Sequence, residues 1–195
     1  IGDNEFINIG VGSDLKLTHD SNNSIMSNST GEFLIQSDIL NLRSASGTSH
    51  LYIPSTGIVT KAKQPGFTAT TNAEYNFSTN VTLTYNNVQT NNGNHYDGTN
   101  CYFTAPVDGL YYFSFDYYAQ TNNTARAVLK KSTDNGGSYS IFRYGCRVNA
   151  PGNYVSATTS GLIALNANDR VLLEREDGIV HINNPYNFFS MFLIG

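Results

Sequence analysis

Apolar and polar residues alternate along this chain with a period of two, and no stretch sustains helical spacing. In the first third, Leu15/Leu17, Leu40/Leu42 and Leu51/Ile53 each bracket a polar residue. This predicts short strands over 14–20, 39–43 and 50–53, with another over 31–38. The polar stretches 21–24 and 44–47 are turn chemistry. From Phe67 onward the predicted strands lengthen and become aromatic: 82–85, 102–104, 110–119, 127–131, 139–144, 154–164, 170–175 and 188–194. Turn signals at 91–93, 135–137, 151–152 and 166–169 close them. Many strands at short intervals predict an all-β sandwich or jelly roll.

Two strands say more. Along 110–118, Tyr111, Phe113, Phe115 and Tyr117 share one face, while Leu110, Tyr112 and Tyr118 populate the other. The terminal run 188–194, with Phe189 and Phe192, is also apolar on both faces. The outer face of a simple sandwich is polar, so a second cover is expected, and a neighbouring copy is the simplest one.

The first sixty residues raise the same need differently. Each short strand offers two or three apolar side chains, worth ~1.5–3 kcal/mol apiece when buried. Ordering each residue's backbone costs ~1–2 kcal/mol. Such a segment is expected to require partner chains, which predicts an intertwined trimeric β-rich shaft. The alternative is that it adds strands to the larger domain. Residues 60–66, polar and ending in Pro-Gly, mark the expected junction, which divides the chain into a shaft segment over 1–64 and a head over 65–195.

Composition sharpens this picture. Of 195 residues only 13% are charged, and Asn (25), Thr (19), Ser (18) and Gly (17) favour turns and strands over helices. Tyr (13) and Phe (11) supply a core. The net charge of −4 leaves no cationic excess for phosphates, so no nucleic-acid partner is expected. No apolar run approaches the length of a membrane-spanning helix, so no membrane insertion is expected. The chain opens at Ile1, which reads as a processed or C-terminal piece of something longer.

The aromatic positions carry a resemblance. Tyr85, Asn91, Tyr96, Phe103, Gly109, Tyr111, Phe113 and Phe115 reproduce the core spacing of the C1q-like domain, a jelly roll of the tumour-necrosis-factor-like kind. One departure is Tyr85, where Phe is usual. The segment 162–171 resembles the family's Gly-Asp hairpin with Asn168 replacing Gly, and 189–193 resembles its closing strand. The resemblance implies a ten-stranded, two-sheet jelly roll forming a homotrimer, with Tyr112 and Phe192 among the core and trimer-packing positions. Residues 14–35 resemble a repeat of marine bacteriophage, especially cyanophage, structural proteins, here with Ser21 in place of Gly. Together the two halves resemble a phage tail fibre or related virion appendage.

Catalytic constellations are not found, and no enzyme is expected. His19, His50, His95 and His181 are scattered. Glu174 and Glu176 share a strand face with Arg175 between them, which reads as charge pairing at a strand end rather than as a glycosidase pair. Asp134-Asn-Gly-Gly137 reads as a hairpin turn rather than a calcium loop. No cofactor is expected. Calcium, which some relatives bind near the trimer apex, directs attention to Asp108, Asp169 and Asp177 without a supporting ligand pattern. Cys101 shares strand parity with Phe103, which predicts a buried thiol.

These readings converge on a trimeric tail-fibre tip located on a virion. Its expected partners are two further copies, other tail or fibre proteins, and a host surface receptor such as a glycan. Tyr139, Tyr144, Asn149, Asn153 and Tyr154 are the expected receptor contacts. The alternatives are a head that only registers and caps the fibre, or a bacterial surface-filament adhesin.

Overall fold

The computed structural model describes residues 6–9, 15–29, 31–59, 61 and 63–194. Asp14, Thr30, Thr60 and Ala62, which belong to expected elements, lie outside them. Eighteen strands and no helix occur among the described residues. The contacts divide the chain into two units, Ile1–Leu42 with Leu51–Thr60, and Arg43–His50 with Lys61–Gly195.

The first unit contains a three-stranded antiparallel meander of β1 (Phe6–Ile9), β2 (Leu15–His19) and β3 (Ser24–Asn28). An Asp20 carboxylate holds the β2–β3 turn by accepting from the backbone N–H groups of Asn22 and Asn23 at 3.2 and 2.7 Å. Farther along, β4 (Leu40–Arg43) pairs with β5 (Ser49–Ile53). None of residues 15–29, 31–59, 61, 63 and 64 is buried. The expected strand over 31–38 is not formed: the chain there joins no sheet, and Phe33, Leu34 and Ile35 are exposed. Its apolar residues are consecutive, so no single face could satisfy them within one chain.

The second unit is a sandwich of two antiparallel sheets. One has the order β13 (Ser140–Tyr144), β12 (Thr124–Ser132), β16 (Arg170–Gly178), β10 (Tyr102–Thr104), β9 (Tyr96–Asp97), with β14 (Val148–Asn149) also on β12. The other runs β7 (Tyr75–Phe77), β17 (Val180–Ile182), β11 (Gly109–Ala119), β18 (Phe188–Leu193), β6 (Gly66–Thr70), β8 (Asn87–Asn92), with β15 (Val155–Leu165) along the far side of β11. These are thirteen segments where ten strands were expected, and the surplus is short: three residues each in β7 and β17, two in β14. The expected strand over 82–85 reduces to a single bridge, Thr82 to Glu174. Leu83 and Tyr85 are buried as their alternation predicts, but the segment crosses the sandwich without a continuous ladder.

Between the sheets lies an aromatic core. Tyr111, Phe113, Phe115 and Tyr117 of β11 are each 0% exposed, as the two-residue period requires. Phe189 meets Phe67, Tyr85, Tyr96 and Phe115 at ring-centroid distances of 5.0, 6.1, 6.2 and 6.5 Å. The buried hydroxyls find carbonyl acceptors: Tyr96 donates to Tyr85 O at 2.7 Å, and Tyr111 to Val107 O at 2.9 Å. Tyr85 donates to Asp116 O, which accounts for a tyrosine where Phe is usual. Asn91 ties both backbone groups of Tyr96, accepting from its N–H at 3.1 Å and donating to its carbonyl at 2.9 Å. That pair of hydrogen bonds explains why an amide at this spacing serves the fold.

Asn168 holds φ +72°, left-handed backbone that Gly or Asn tolerates. Cys101 is buried as expected, but for a different reason. It sits in a turn at φ +57° just before β10, with its N–H on Asp97 O at 2.7 Å.

Candidate functional site

The outer face of the seven-stranded sheet is where this chain departs from an ordinary sandwich. It is set by the even-numbered residues of β11. At one end Tyr112 lies opposite Leu162 of β15 and Phe192 of β18, with its ring 5.2 Å from that of Phe192. Leu110, Leu162 and Phe192 are 39, 49 and 48% exposed. In the middle, Ser114 aligns with Ser160 and Ser190, and Ser190 Oγ donates to Thr68 Oγ1 at 2.9 Å. The second face of β11 is therefore open at its apolar end in the single chain. A second apolar surface lies on the other sheet, where edge strand β13 exposes Ile141, Phe142 and Tyr144.

At the far end of β11 the outer face forms a pocket of about 310 Å³ lined by Glu74, Tyr118, Tyr154, His181, Asn183 and Tyr186. Register builds it, because Tyr118 faces His181 of β17 on one side and Ser156 of β15 on the other. The Tyr118 ring stands at 78° to Tyr154 and 71° to Tyr186, with centroids 6.2 and 6.5 Å away. Tyr154 covers His181 at 4.6 Å. His181 is buried, and its Nδ1 donates to Asn76 Oδ1 at 2.9 Å. Burial lowers the His181 pKa and the Glu74 carboxylate, 3.7 Å from Nδ1, works against it. The imidazole is thus neutral at pH 7, with Nε2 left as an acceptor.

Beside this pocket Asp116 Oδ1 accepts from the Phe188 N–H at 2.7 Å and from Asn187 Nδ2 at 3.4 Å. Burial nevertheless raises its pKa above the ordinary carboxylate value. The folded state therefore holds the Asp116 proton more tightly than the unfolded chain does. That contribution is full below the unfolded pKa and is lost as pH rises through the raised one. Asp116→Asn keeps an acceptor for Phe188. It is expected to raise the urea midpoint at neutral pH and to leave it unchanged in acid, as equilibrium unfolding at the two pH values would show.

The five expected receptor contacts fall in different places. Tyr139 sits by the 134–137 turn, its hydroxyl under Gly136 and near Arg170 and Tyr102. Tyr144 lies on β13 with the Arg126 guanidinium 4.8 Å from its ring centre. Asn149, in β14, pairs with Thr124, and Asn153 is exposed before β15. Only Tyr154 enters the pocket. That Tyr118, His181, Tyr186, Glu74 and Asn183 share one site was not legible in the sequence, because the elements that bring them together are far apart in the chain. A faint signal existed: Tyr118 shares parity with Tyr112 on the non-core face.

The carboxylates are engaged with N–H groups and cations. Glu174 bonds Lys130 at 2.5 Å and Glu176 bonds Arg126 at 2.6 Å, cross-strand pairs between β16 and β12. Asp108 accepts from the Ala167 N–H at 2.7 Å, Asp169 pairs with Lys131 at 2.7 Å, and Asp177 pairs with Arg147 at 2.6 Å. Asp134 accepts from Ser132 and Ser138, and these bonds hold its carboxyl well below the usual range. Asn135 and Gly136 there have φ +56° and +94°, a hairpin turn. Among the described residues no three or more His, Cys, Asp or Glu side chains converge as a metal site.

Two antiparallel sheets closed over an aromatic core, with β11 and β18 adjacent at the centre of one, define a jelly-roll domain of the C1q/TNF kind. The C1q domain family matches residues 66–194, and the chain belongs to that family. Among solved structures it is similar to Eiger TNF of S. frugiperda, at 12% identity over 68% of this chain and 94% of that one, with a TM-score of 0.58. The globular domain of zebrafish complement 1qA is 20% identical over 68% of this chain and 98% of its own, with a TM-score of 0.55. Murine APRIL is 12% identical over 68% and 100%, with a TM-score of 0.55. At these identities the likeness is one of fold. C1q/TNF domains commonly form homotrimers and are typically non-enzymatic ligand-binding or structural modules.

Proposed function

We propose that this chain is a homotrimeric recognition head at the tip of a fibre, attaching a virion to a receptor on a bacterial surface. The observation that carries the trimer is the open apolar end of the seven-stranded sheet, Leu110, Tyr112, Leu162 and Phe192. A contiguous apolar patch of this kind marks an interaction surface. The exposed β13 edge gives the head a second, unlike apolar surface. Two unlike surfaces join copies head to tail, and such contacts close into a ring when the rotation permits. Residues 1–64 support the reading as a shaft. They include Leu34, Ile35, Ile58 and Val59, exposed at 78, 59, 64 and 56%, and partner chains would cover them. The repeat-like pattern over 14–35 is the ground for assigning the fibre to a phage, with other tail proteins as its neighbours.

The mechanism is multivalency: three heads per fibre turn weak contacts into avidity gains of ~10²–10⁴. Light scattering on the full chain is expected to give three times the 21.4 kDa chain mass. The labelled trimer is expected to decorate a subset of a panel of marine bacterial cells, and to compete with phage adsorption on them. A well-folded monomer removes the trimer. A trimer that binds none of the cells leaves the head as a cap that registers the shaft.

A further inference from the structure

We infer that the pocket lined by Tyr118, Tyr154, His181, Tyr186, Glu74 and Asn183 is a binding site for a neutral pyranose unit of a cell-surface glycan. The inference rests on the receptor-binding reading above and names the site that reading lacks. Three observations carry it. First, the pocket presents aromatic walls at steep angles: Tyr154 and Tyr186 stand at 78° and 71° to Tyr118, and remain 45 and 63% exposed. Exposed tyrosines offer apolar faces to the C–H side of a sugar ring, and with two side-chain torsions each they have little entropy to lose.

Second, the polar groups suit hydroxyls. Nδ1 of His181 is engaged with Asn76, so the neutral ring offers Nε2 as an acceptor. The Glu74 carboxylate accepts as well, and the Asn183 amide can both donate and accept. Third, the charge selects. No Lys or Arg lines the pocket, Glu74 is at its wall, and Asp116 is a neighbour on β11. A sialic acid or uronate would meet carboxylates without a cation to answer it. The volume, about 310 Å³, lies at the small end of ligand sites and suits one or two sugar rings.

The location is compatible with assembly. Tyr118 lies eight residues along β11 from Leu110, roughly 26 Å at ~3.3 Å per residue. The apolar end can be buried between copies while three pockets stay open at the other end. Single-site affinity on the order of 1 mM is expected of so open a pocket, with the trimer supplying the rest by avidity.

Saturation-transfer NMR on the 195-residue chain tests the inference with methyl β-galactopyranoside, methyl β-glucopyranoside, N-acetylneuraminic acid and tetramethylammonium as probes. At least one neutral pyranoside is expected to receive saturation at its ring C–H protons. The signal is expected to disappear in Tyr154→Ala and in Tyr186→Ala, both exposed positions, and to persist in Gln89→Ala. Saturation of no neutral pyranoside, saturation that survives both tyrosine variants, or transfer only to the acid sugar or the cation would each overturn it. Cell binding separates this inference from the reading beneath it. Wild-type and both tyrosine variants binding cells equally leaves the receptor role standing and removes the pocket. Sugar binding without cell binding keeps the pocket and removes the receptor role.

Discussion

Replacing Phe189 with Ala is expected to cost the head about 3–5 kcal/mol of folding stability. Phe189 is 1% exposed and meets four other rings within 6.5 Å, contributed by β6, β9, β11 and the segment before β8. Truncation removes the transfer energy of the ring and leaves a cavity between rigid neighbours that cannot close over it. Domains of this size are stable by only ~5–15 kcal/mol, so the loss takes a large share of the total. Guanidinium unfolding followed by circular dichroism, at matched chain concentration, reads the effect. Phe189→Leu, which refills most of the volume, is expected to lose less than half as much. A loss below about 1 kcal/mol for the alanine variant would mean that the cluster does not centre on this ring.

The second large effect concerns assembly. Leu162→Asp and Phe192→Asp each place a carboxylate on the apolar end of the sheet's outer face, where the proposed interface would bury it without a cation. In a ring of three the insult occurs three times. Both variants are expected to fall from three chain masses to one in light scattering, and to lose cell binding by ~10²–10⁴ as avidity disappears. Both side chains are about half exposed in the single chain, 49 and 48%, so the fold itself tolerates the change. A trimer that survives both substitutions places the interface elsewhere. Far-UV circular dichroism of the variants separates dissociation from unfolding.

The two expected effects come from opposite faces of one sheet, and they differ in how far the sequence revealed them. The core face was legible because burial along a strand is local: the alternation of Tyr111, Phe113, Phe115 and Tyr117 needs no partner to be read. The spacing from Tyr85 to Phe115 carried the family resemblance because Tyr85, Tyr96, Phe103, Tyr111, Phe113 and Phe115 each occupy a place in one aromatic core, with Asn91 tying the backbone of Tyr96. The outer face was half legible. Leu110, Tyr112 and Phe192 announced an apolar patch, but not that small hydroxyls would separate it from an aromatic pocket.

Errors cluster where local pattern and tertiary pairing part company. Residues 31–38 and 82–85 are apolar enough to read as strands, yet a strand requires a neighbour in register to complete its hydrogen bonds. β1, β3, β6, β7, β8, β9, β14 and β17 were not among the expected strands. β3 is almost entirely exposed, β7, β9, β14 and β17 have only two or three residues, and β6 and β8 are completed by pairing with each other and, for β6, with β18. The expected contacts Tyr139, Tyr144, Asn149 and Asn153 are tyrosines and asparagines chosen by chemistry along the chain, and the fold sets them apart from the pocket that Tyr154 enters.

What the amino-acid order determined by itself was the two-residue periodicity, the turn chemistry and the aromatic spacing, hence a C1q-type head. Each depends on residues close together in the chain or on the inward face of a single strand. Only the tertiary structure decided which polar and aromatic residues meet. The pairs Lys130–Glu174 and Arg126–Glu176 depend on the register of β12 against β16. The pocket depends on β7, β11, β15, β17 and the turn before β18 arriving at one corner. Register is a property of pairing between distant segments, so no reading along one strand could supply it.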